Sequence, residues 1–258
     1  MLINSFIAMS NDVTTPVVPT VNWNVYSWLL DKTGLGDTVA SVWIMFAGFV
    51  LCMIVPYLIG SINPAIIFSH KKYSDDIRNH GSGNAGATNT LRVYGVKMGF
   101  LIFFLDLLKA VIAIMFGALI LTRELGGAVA GLFVILGHCY PVFYKFKGGK
   151  GVSCLAGVIL MLSPISFLIL ILLFVAIVAM TRFVSLGSIM CALLYPIVNA
   201  AFYPRNGMIT FTGGCIMLLV VFFHRQNIKR LMNGTESKLS FGSKKKKTDG
   251  EDANGTEN

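Results

Sequence analysis

The chain has 258 residues, 55% of them hydrophobic and only 13% charged, with mean hydropathy +0.73 and a formal net charge of +9 at pH 7. It is too apolar for a soluble domain and too long for a single anchor, which leaves a polytopic membrane protein. The 21 Lys and Arg lie between and after apolar runs and build no extended basic domain, so the expected partner is anionic lipid or phosphate and not nucleic acid.

Residues 1–41 mix Thr, Pro and Asn with short apolar pieces. No basic n-region precedes an h-region and cleavage site, so no signal peptide is expected and this segment reads as an extracytoplasmic extension. Apolar runs follow at Val42 to Phe68, Met98 to Leu121, Leu125 to Phe143, Gly151 to Met180, Phe183 to Tyr203 and Met208 to Phe223. Most are near the ~20 residues that a spanning helix needs.

The long run from Gly151 to Met180 decides the topology. As one tilted helix it would put Arg182 and the C-terminal tail opposite the first two polar segments. As two short helices of roughly 13 and 16 residues, turning at Ser163 and Pro164, it gives seven spans. Lys71, Lys72, Arg78, Arg92, Lys145, Lys147, Lys150, Arg182, Arg225, Lys229, Arg230 and Lys244 to Lys247 then share one side. Only Lys32, Arg123 and Arg205 stay on the other, a strong positive-inside asymmetry. The expectation is an all-α integral membrane protein with seven transmembrane helices, short fourth and fifth spans, the N-terminus outside and the C-terminus cytoplasmic. Residues 42–236 form its membrane domain. Residues 237–258 read as a Lys-rich disordered tail whose lysines touch anionic lipid. The sequons at Asn233 and Asn254 fall on the inner side, where no glycosylation is expected.

Cys52, Cys139, Cys154, Cys191 and Cys215 all lie in apolar stretches without CxxC or paired His spacing, so they read as packing residues, with no metal and no disulfide. Asp106 and Lys109, one turn apart near mid-membrane, cost at least ~2.5 to 3.5 kcal/mol each as ions and read as a mutually neutralising pair. A transporter relay would use the same pair. Asn63 and Pro64, with Gly60 and Ser61, weaken the inner half of the first span and offer backbone groups to a site, although small-residue helix packing accounts for Gly60 and Ser61 equally.

Three polar segments carry the chemistry. In HGSGNAGATNTLR (His80 to Arg92), Gly81, Gly83 and Gly86 allow tight turns whose N–H groups can face one anion. Ser82, Asn84, Thr88 and Asn89 add neutral donors, and Arg92 a planar fork for phosphate. A polar loop leading into a helix has the same composition. KFKGGKGVS (Lys145 to Ser153) is not a P-loop, because GxxxxGK followed by Ser or Thr would need glycine at Tyr144 and a hydroxyl at Gly151. Its Gly148, Gly149 and Gly151 can still cradle phosphate at a helix start, with Lys150 as the point charge. In HRQNIKRL (His224 to Leu231), His224 and Asn227 are spaced i, i+3 at the end of the last span and share a helix face. There His224 either orients a substrate hydroxyl as base or anchors the helix end with Arg225, Lys229 and Arg230.

In this order and spacing, SGNAGATNxxR, KFKGGKG and HRxNIxRL resemble the three signature motifs of the bacterial acyl-phosphate-dependent (PlsY-like) glycerol-3-phosphate acyltransferases. GSIN (Gly60 to Asn63), DxxK (Asp106 to Lys109), GHxxPVF (Gly137 to Phe143) and RFVSLGS (Arg182 to Ser188) extend the likeness over Ile54 to Glu236. The resemblance implies acyl transfer from acyl phosphate to the 1-hydroxyl of sn-glycerol 3-phosphate, without cofactor, in a bacterial plasma membrane. The products would be lysophosphatidic acid and phosphate. It implies catalytic roles for Ser82, Arg92, Lys150, His224 and Asn227. It implies substrate binding by Asn84, Gly86, Ala87, Thr88, Asn89, Gly148, Gly149 and Gly151, and by Ser185 or Ser188. The soluble enzyme that makes acyl phosphate is a candidate partner.

Acyl phosphate carries a good leaving group, so positioning and charge neutralisation suffice and direct attack without an acyl-enzyme is expected. The proton acceptor is either His224 or a substrate phosphate oxygen. The NHxxxxD pattern of acyltransferases that use acyl-CoA or carrier protein is absent, since Asn79-His80 is followed by Ala85 at the aspartate position. The competing class is a transporter of phosphate-bearing anions, which repeat symmetry and broken mid-span helices would favour.

Overall fold

The computed structural model describes residues 24–36 and 38–239, and among these every regular element is helical. The Lys-rich run Lys244 to Lys247, the Asn254 sequon and residues 1–23 lie outside the described residues.

The N-terminal extension contains a helix that composition did not announce, α1 (Val25–Thr33). Asn24 caps it in a reciprocal capping box with Ser27, and Gly34 closes it at φ 65°. Tyr26 packs it against the cluster of Cys52, Leu121 and Val129. The first long helix, α2 (Val39–Ser61), starts inside the segment read as extension.

α2 does not run on to Phe68 as one rod. It stops at Ile62, and α3 (Pro64–Tyr73) restarts with Asn63 as N-cap, its side chain accepting from the N–H of Ile66 at 3.1 Å, and with Pro64 at the first helical position. The break frees carbonyls in an apolar setting, and Lys109 takes them: its Nζ donates to Gly60 O at 3.0 Å and Ile62 O at 2.8 Å. The freed backbone therefore serves Lys109 and not the site, contrary to expectation, and this explains why a lysine is tolerated at that depth.

α4 (Ala87–Tyr94) and α5 (Val96–Ile120) follow, then α6 (Leu125–Cys139). α6 is the central helix, packed along α2 and α5 and touching α7 and α10. A Cβ at Gly60 would strike the Val134 backbone and one at Gly137 would strike Tyr57 O, so glycines set the close approach of α2 and α6. The long run divides as expected at Ser163, into α7 (Val152–Leu162) and α8 (Pro164–Thr181), the second longer than foreseen. Ser163 Oγ donates to Asn199 Oδ1 at 2.5 Å and Asn199 Nδ2 to Thr210 Oγ1 at 2.7 Å, tying that break to α9 (Val184–Phe202) and α10 (Gly207–Phe223). α11 (Arg225–Met232) leaves α10 at a bend of 59°.

Among the described residues, five helices are long and apolar enough to cross a membrane, or six with the α10–α11 pair taken as one span, while α7 is apolar but shorter. All five cysteines are free, four of them buried.

Candidate active site

The three polar segments converge on one cavity of about 890 Å³. They reach it from the start of α4, the loop between α6 and α7, and the bend between α10 and α11.

The first segment is folded around Asn89. Its Nδ2 donates to Ile77 O and His80 O, at 3.2 and 2.9 Å, and its Oδ1 accepts from the Ser82 N–H at 2.8 Å. Asn89 is 1% exposed, so its side chain organises the loop and offers nothing to a ligand. The expected nest of glycine N–H groups is also spent locally, Gly83 on His80 O and Gly86 on Asn84 O. What faces the cavity is the N-terminus of α4. The helical ladder begins with Thr90 N–H to Gly86 O, which leaves the N–H groups of Ala87, Thr88 and Asn89 ahead of it.

The second segment repeats the device. Gly151, at φ 82°, turns the chain into α7, whose ladder starts with Leu155 N–H to Gly151 O, and Gly151, Val152 and Ser153 line the cavity. Two helix N-termini thus point their positive ends into one space. Gly148 and Gly149 do not line it. Their N–H groups donate to Cys139 O and His138 O at the end of α6, and a Cβ on Gly149 would collide with the His138 imidazole. They are glycines for close packing, not for phosphate.

Lys150 reaches into the cavity and donates to Asn227 Oδ1 at 2.5 Å. Burial, reinforced by Arg230 and Arg92, pushes its ammonium down to about 8. Asn227 Nδ2 donates to Glu236 Oε1 at 2.7 Å; the same oxygen accepts from Ser185 Oγ at 2.7 Å, and Oε2 accepts from Arg230 Nε at 2.7 Å. Burial acts to raise the Glu236 carboxyl, but these hydrogen bonds more than offset it and hold the group below the usual carboxylate range. Arg92 Nη2 donates to Ser237 O at 3.1 Å, while its Nε is buried without a protein partner. Arg92 lines the cavity, so its guanidinium brings positive charge to that wall.

His224 and Asn227 do not share one helix. His224 closes α10 and Asn227 sits on α11 beyond the bend, and the bend brings both to the cavity. His224 Nδ1 lies 2.8 Å from Val220 O. A carbonyl only accepts, so Nδ1 carries a proton, and in the neutral imidazole Nε2 keeps its lone pair. Ser82 and Asn84 stand at the cavity wall, Ser82 exposed. Ser185 and Ser188 both line it, but Ser188 Oγ is returned to Val184 O at 2.8 Å. The remaining wall is apolar: Phe100 and Phe103 from α5 face Ile171, Phe174, Val175 and Val178 from α8.

Beneath the second segment, Lys109 Nζ lies 2.8 Å from Asp106 Oδ1 and 3.0 Å from His138 Nδ1. Asp106, His138 and Cys154 bring one ligand atom each within 4.8 Å of one another, and the Lys109 ammonium supplies the positive charge there.

The family model described as glycerol-3-phosphate acyltransferase matches residues 50–234. The chain belongs to this glycerol-3-phosphate acyltransferase family. A relative named glycerol-3-phosphate acyltransferase from Thermoanaerobacter sp. (strain X514) is 46% identical over 74% of this chain and 95% of its own length. One from Finegoldia magna is 43% identical over 72% and 93%. The crystal structure of PlsY, an integral membrane glycerol 3-phosphate acyltransferase, in its glycerol 3-phosphate form is similar with TM-score 0.67 and 38% identity, covering 74% of this chain and 96% of that one.

In this acyltransferase chain the residue that sequence reasoning missed is Glu236, just past the end of the family match. It is the hub that joins Ser185, Asn227 and Arg230. Its signal was available: only 12 acidic residues occur in the chain, and this one follows a basic helix. Arg182, Ser153 and His138 also line the cavity without having been foreseen.

Proposed function

We propose that the chain transfers a fatty acyl group from acyl phosphate to the 1-hydroxyl of sn-glycerol 3-phosphate, releasing lysophosphatidic acid and inorganic phosphate. The observation that carries this reading is the continuity of a cationic chamber, with two helix N-termini, Arg92 and Lys150, into an apolar groove between α5 and α8. A phosphate and an acyl chain belonging to one donor fit that junction.

Arg92 and Lys150 hold the two phosphates. The free N–H groups at the starts of α4 and α7 neutralise charge on the departing phosphate as the carbonyl–oxygen bond to it breaks. The glycerol phosphate hydroxyl attacks the acyl carbon directly, and its proton goes to His224 Nε2 or to a phosphate oxygen. Glu236 holds Asn227, and Asn227 holds Lys150. Ser82 at the wall offers a hydroxyl to either substrate.

The same reading includes seven spans, with α7 and α8 as the pair divided at Ser163, the N-terminus outside and the chamber at the cytoplasmic face of a bacterial plasma membrane. The positive-inside distribution supports it. Residues beyond the membrane unit, 1–41 and 237–258, are accessory in this reading, although α2 already begins at Val39.

The test is transfer of labelled acyl groups to glycerol 3-phosphate by the purified, lipid-reconstituted protein, comparing acyl phosphate, acyl-CoA and acyl carrier protein. Turnover with acyl phosphate alone, lost in Lys150→Ala, is the expected result. No turnover with any donor in a folded sample rejects the reading and directs attention to anion flux.

A further inference from the structure

Lys150 is carried by a loop whose backbone is strained just ahead of it. Lys145 and Phe146 are consecutive non-glycine residues at φ 56° and 57°, in the left-handed region that Cβ–carbonyl crowding disfavours. Such a pair persists only where its surroundings impose it. Phe146 N–H donates to Pro141 O at 3.0 Å and Lys147 N–H to Tyr144 O at 3.2 Å, which closes the turn from within.

Beyond the turn, Gly148 and Gly149 N–H groups tie the loop to Cys139 O and His138 O, and a further grip comes from far away in the chain. Arg78 Nη1 donates to Tyr144 O at 3.1 Å and to Lys147 O at 3.3 Å, the carbonyls on either side of the left-handed pair. The rest of its guanidinium is locked on Asp76, with Nε at 2.9 and 3.0 Å from the two carboxylate oxygens and Nη2 at 2.6 Å. Asp76 also accepts the Arg78 N–H at 2.9 Å and has His70 Nε2 at 3.7 Å. Arg78 belongs to the segment leading into the first motif, next to Ile77, which is fully buried and whose carbonyl is held by Asn89. Neither Asp76 nor Arg78 lines the cavity.

We infer that Arg78, oriented by Asp76, is a positioning residue: it clamps the left-handed Lys145–Phe146 turn to the first motif, and so fixes the distance between the two anion-binding helix starts and the direction of Lys150. The guanidinium is suited to this because one planar fork can hold a carboxylate on one edge and two carbonyls on the other. This inference rests on the phosphate-binding part of the acyltransferase reading.

Wild type, Arg78→Ala, Arg78→Lys and Arg78→Ala combined with Lys145→Gly and Phe146→Gly are compared as full chains in lipid, normalised to folded protein by gel filtration. Calorimetric binding of glycerol 3-phosphate and of inorganic phosphate reads the clamp without turnover. The expected result is about tenfold weaker binding in Arg78→Ala, with a KM increase that exceeds the kcat change. Burial, then Arg230 and Arg92, depress the Lys150 ammonium, while Glu236 and the Asn227 Oδ1 acceptor oppose them and the His224 ring stands nearby, so a Lys150 let out into solvent should move the alkaline limb of kcat/KM upward. The two glycines, which accept positive φ, should recover most of the loss; Arg78→Lys should recover less. Unchanged affinity per folded molecule, or glycines that restore nothing, overturns the clamp. A wild type that binds phosphate yet turns over with no donor rejects the acyltransferase reading, and the clamp is then judged by binding alone.

Discussion

Lys150 and Asn227 meet across the cavity at 2.5 Å although 77 positions separate them in the chain. Asn227 is itself held by Glu236, so the ammonium is aimed before any substrate arrives. Preorganised charge of this kind costs no reorganisation during the reaction. Lys150→Ala should lower kcat/KM by about 10²-fold or more, Asn227→Ala by less, and the double variant by less than the product of the two, because they act as one unit. Steady-state kinetics on the four proteins check this; multiplicative losses would mean that the residues act independently.

The depressed Lys150 ammonium sets a pH limit on the free enzyme. With its value at about 8, the charged form that the proposed reaction needs for phosphate is lost above that pH, and kcat/KM should fall about tenfold per unit there. A bound phosphate dianion restores the charge, so the limb in kcat should lie at higher pH. Stability moves the opposite way: the unfolded lysine, near ~10.4, binds the proton more tightly than the folded one, so this group adds stability as pH rises between the two values. Kinetic and thermal-unfolding pH series on wild type and Lys150→Met separate the two effects.

The apolar runs were legible because spanning helices need continuous hydrophobicity, and the turn at Ser163–Pro164 because proline starts helices well. The break at Asn63 was harder. It lies within one hydrophobic run, and what makes it stable is Lys109, far off in sequence, taking the freed carbonyls of Gly60 and Ile62. The site residues were legible as types, but their division of labour was not. Asn89 and Gly149 look like ligands in sequence and prove to be a loop staple and a contact with His138, since only packing shows which donors are already used. α1 was missed because its signal is a capping box and not periodicity.

Glu236 should matter for stability more than a surface carboxylate does. Replacing it with Ala leaves Ser185 Oγ, Asn227 Nδ2 and Arg230 Nε without their acceptor, which costs about 1–3 kcal/mol. Glu236→Gln retains part of this. Its contribution is present above the ordinary carboxylate value of ~4.3 and is lost as pH falls through its lower folded value. Thermal unfolding in detergent should show a drop for Ala, a smaller drop for Gln, and convergence of all three proteins in acid; equal midpoints at neutral pH would remove Glu236 from the scaffold.

In the proposed reaction, a His224 variant tells which group takes the proton. With Nδ1 committed to Val220 O, Nε2 is free to accept from the attacking hydroxyl. The expected loss in kcat for His224→Ala is about 10² or more, the range of general-base contributions, with a smaller effect on glycerol phosphate affinity. A loss below about tenfold assigns the proton to a phosphate oxygen.

The apolar groove should read chain length along α8. Val178 lies near Arg182 at the polar end of the cavity, and Ile171 is two turns back on the same lining face, about 10 Å away at 1.5 Å per residue. A bulky side chain at Val178 therefore meets every acyl donor, whereas one at Ile171 meets only those long enough to reach it. Each methylene excluded from the groove forfeits about 0.8 kcal/mol of burial, or roughly fourfold in kcat/KM. Ile171→Trp should leave short acyl phosphates unaffected and progressively penalise longer ones, while Val178→Trp should depress the whole series. Two identical profiles would place the acyl chain elsewhere, and a uniform loss in Ile171→Trp would point to a shifted α8, not to a shortened groove.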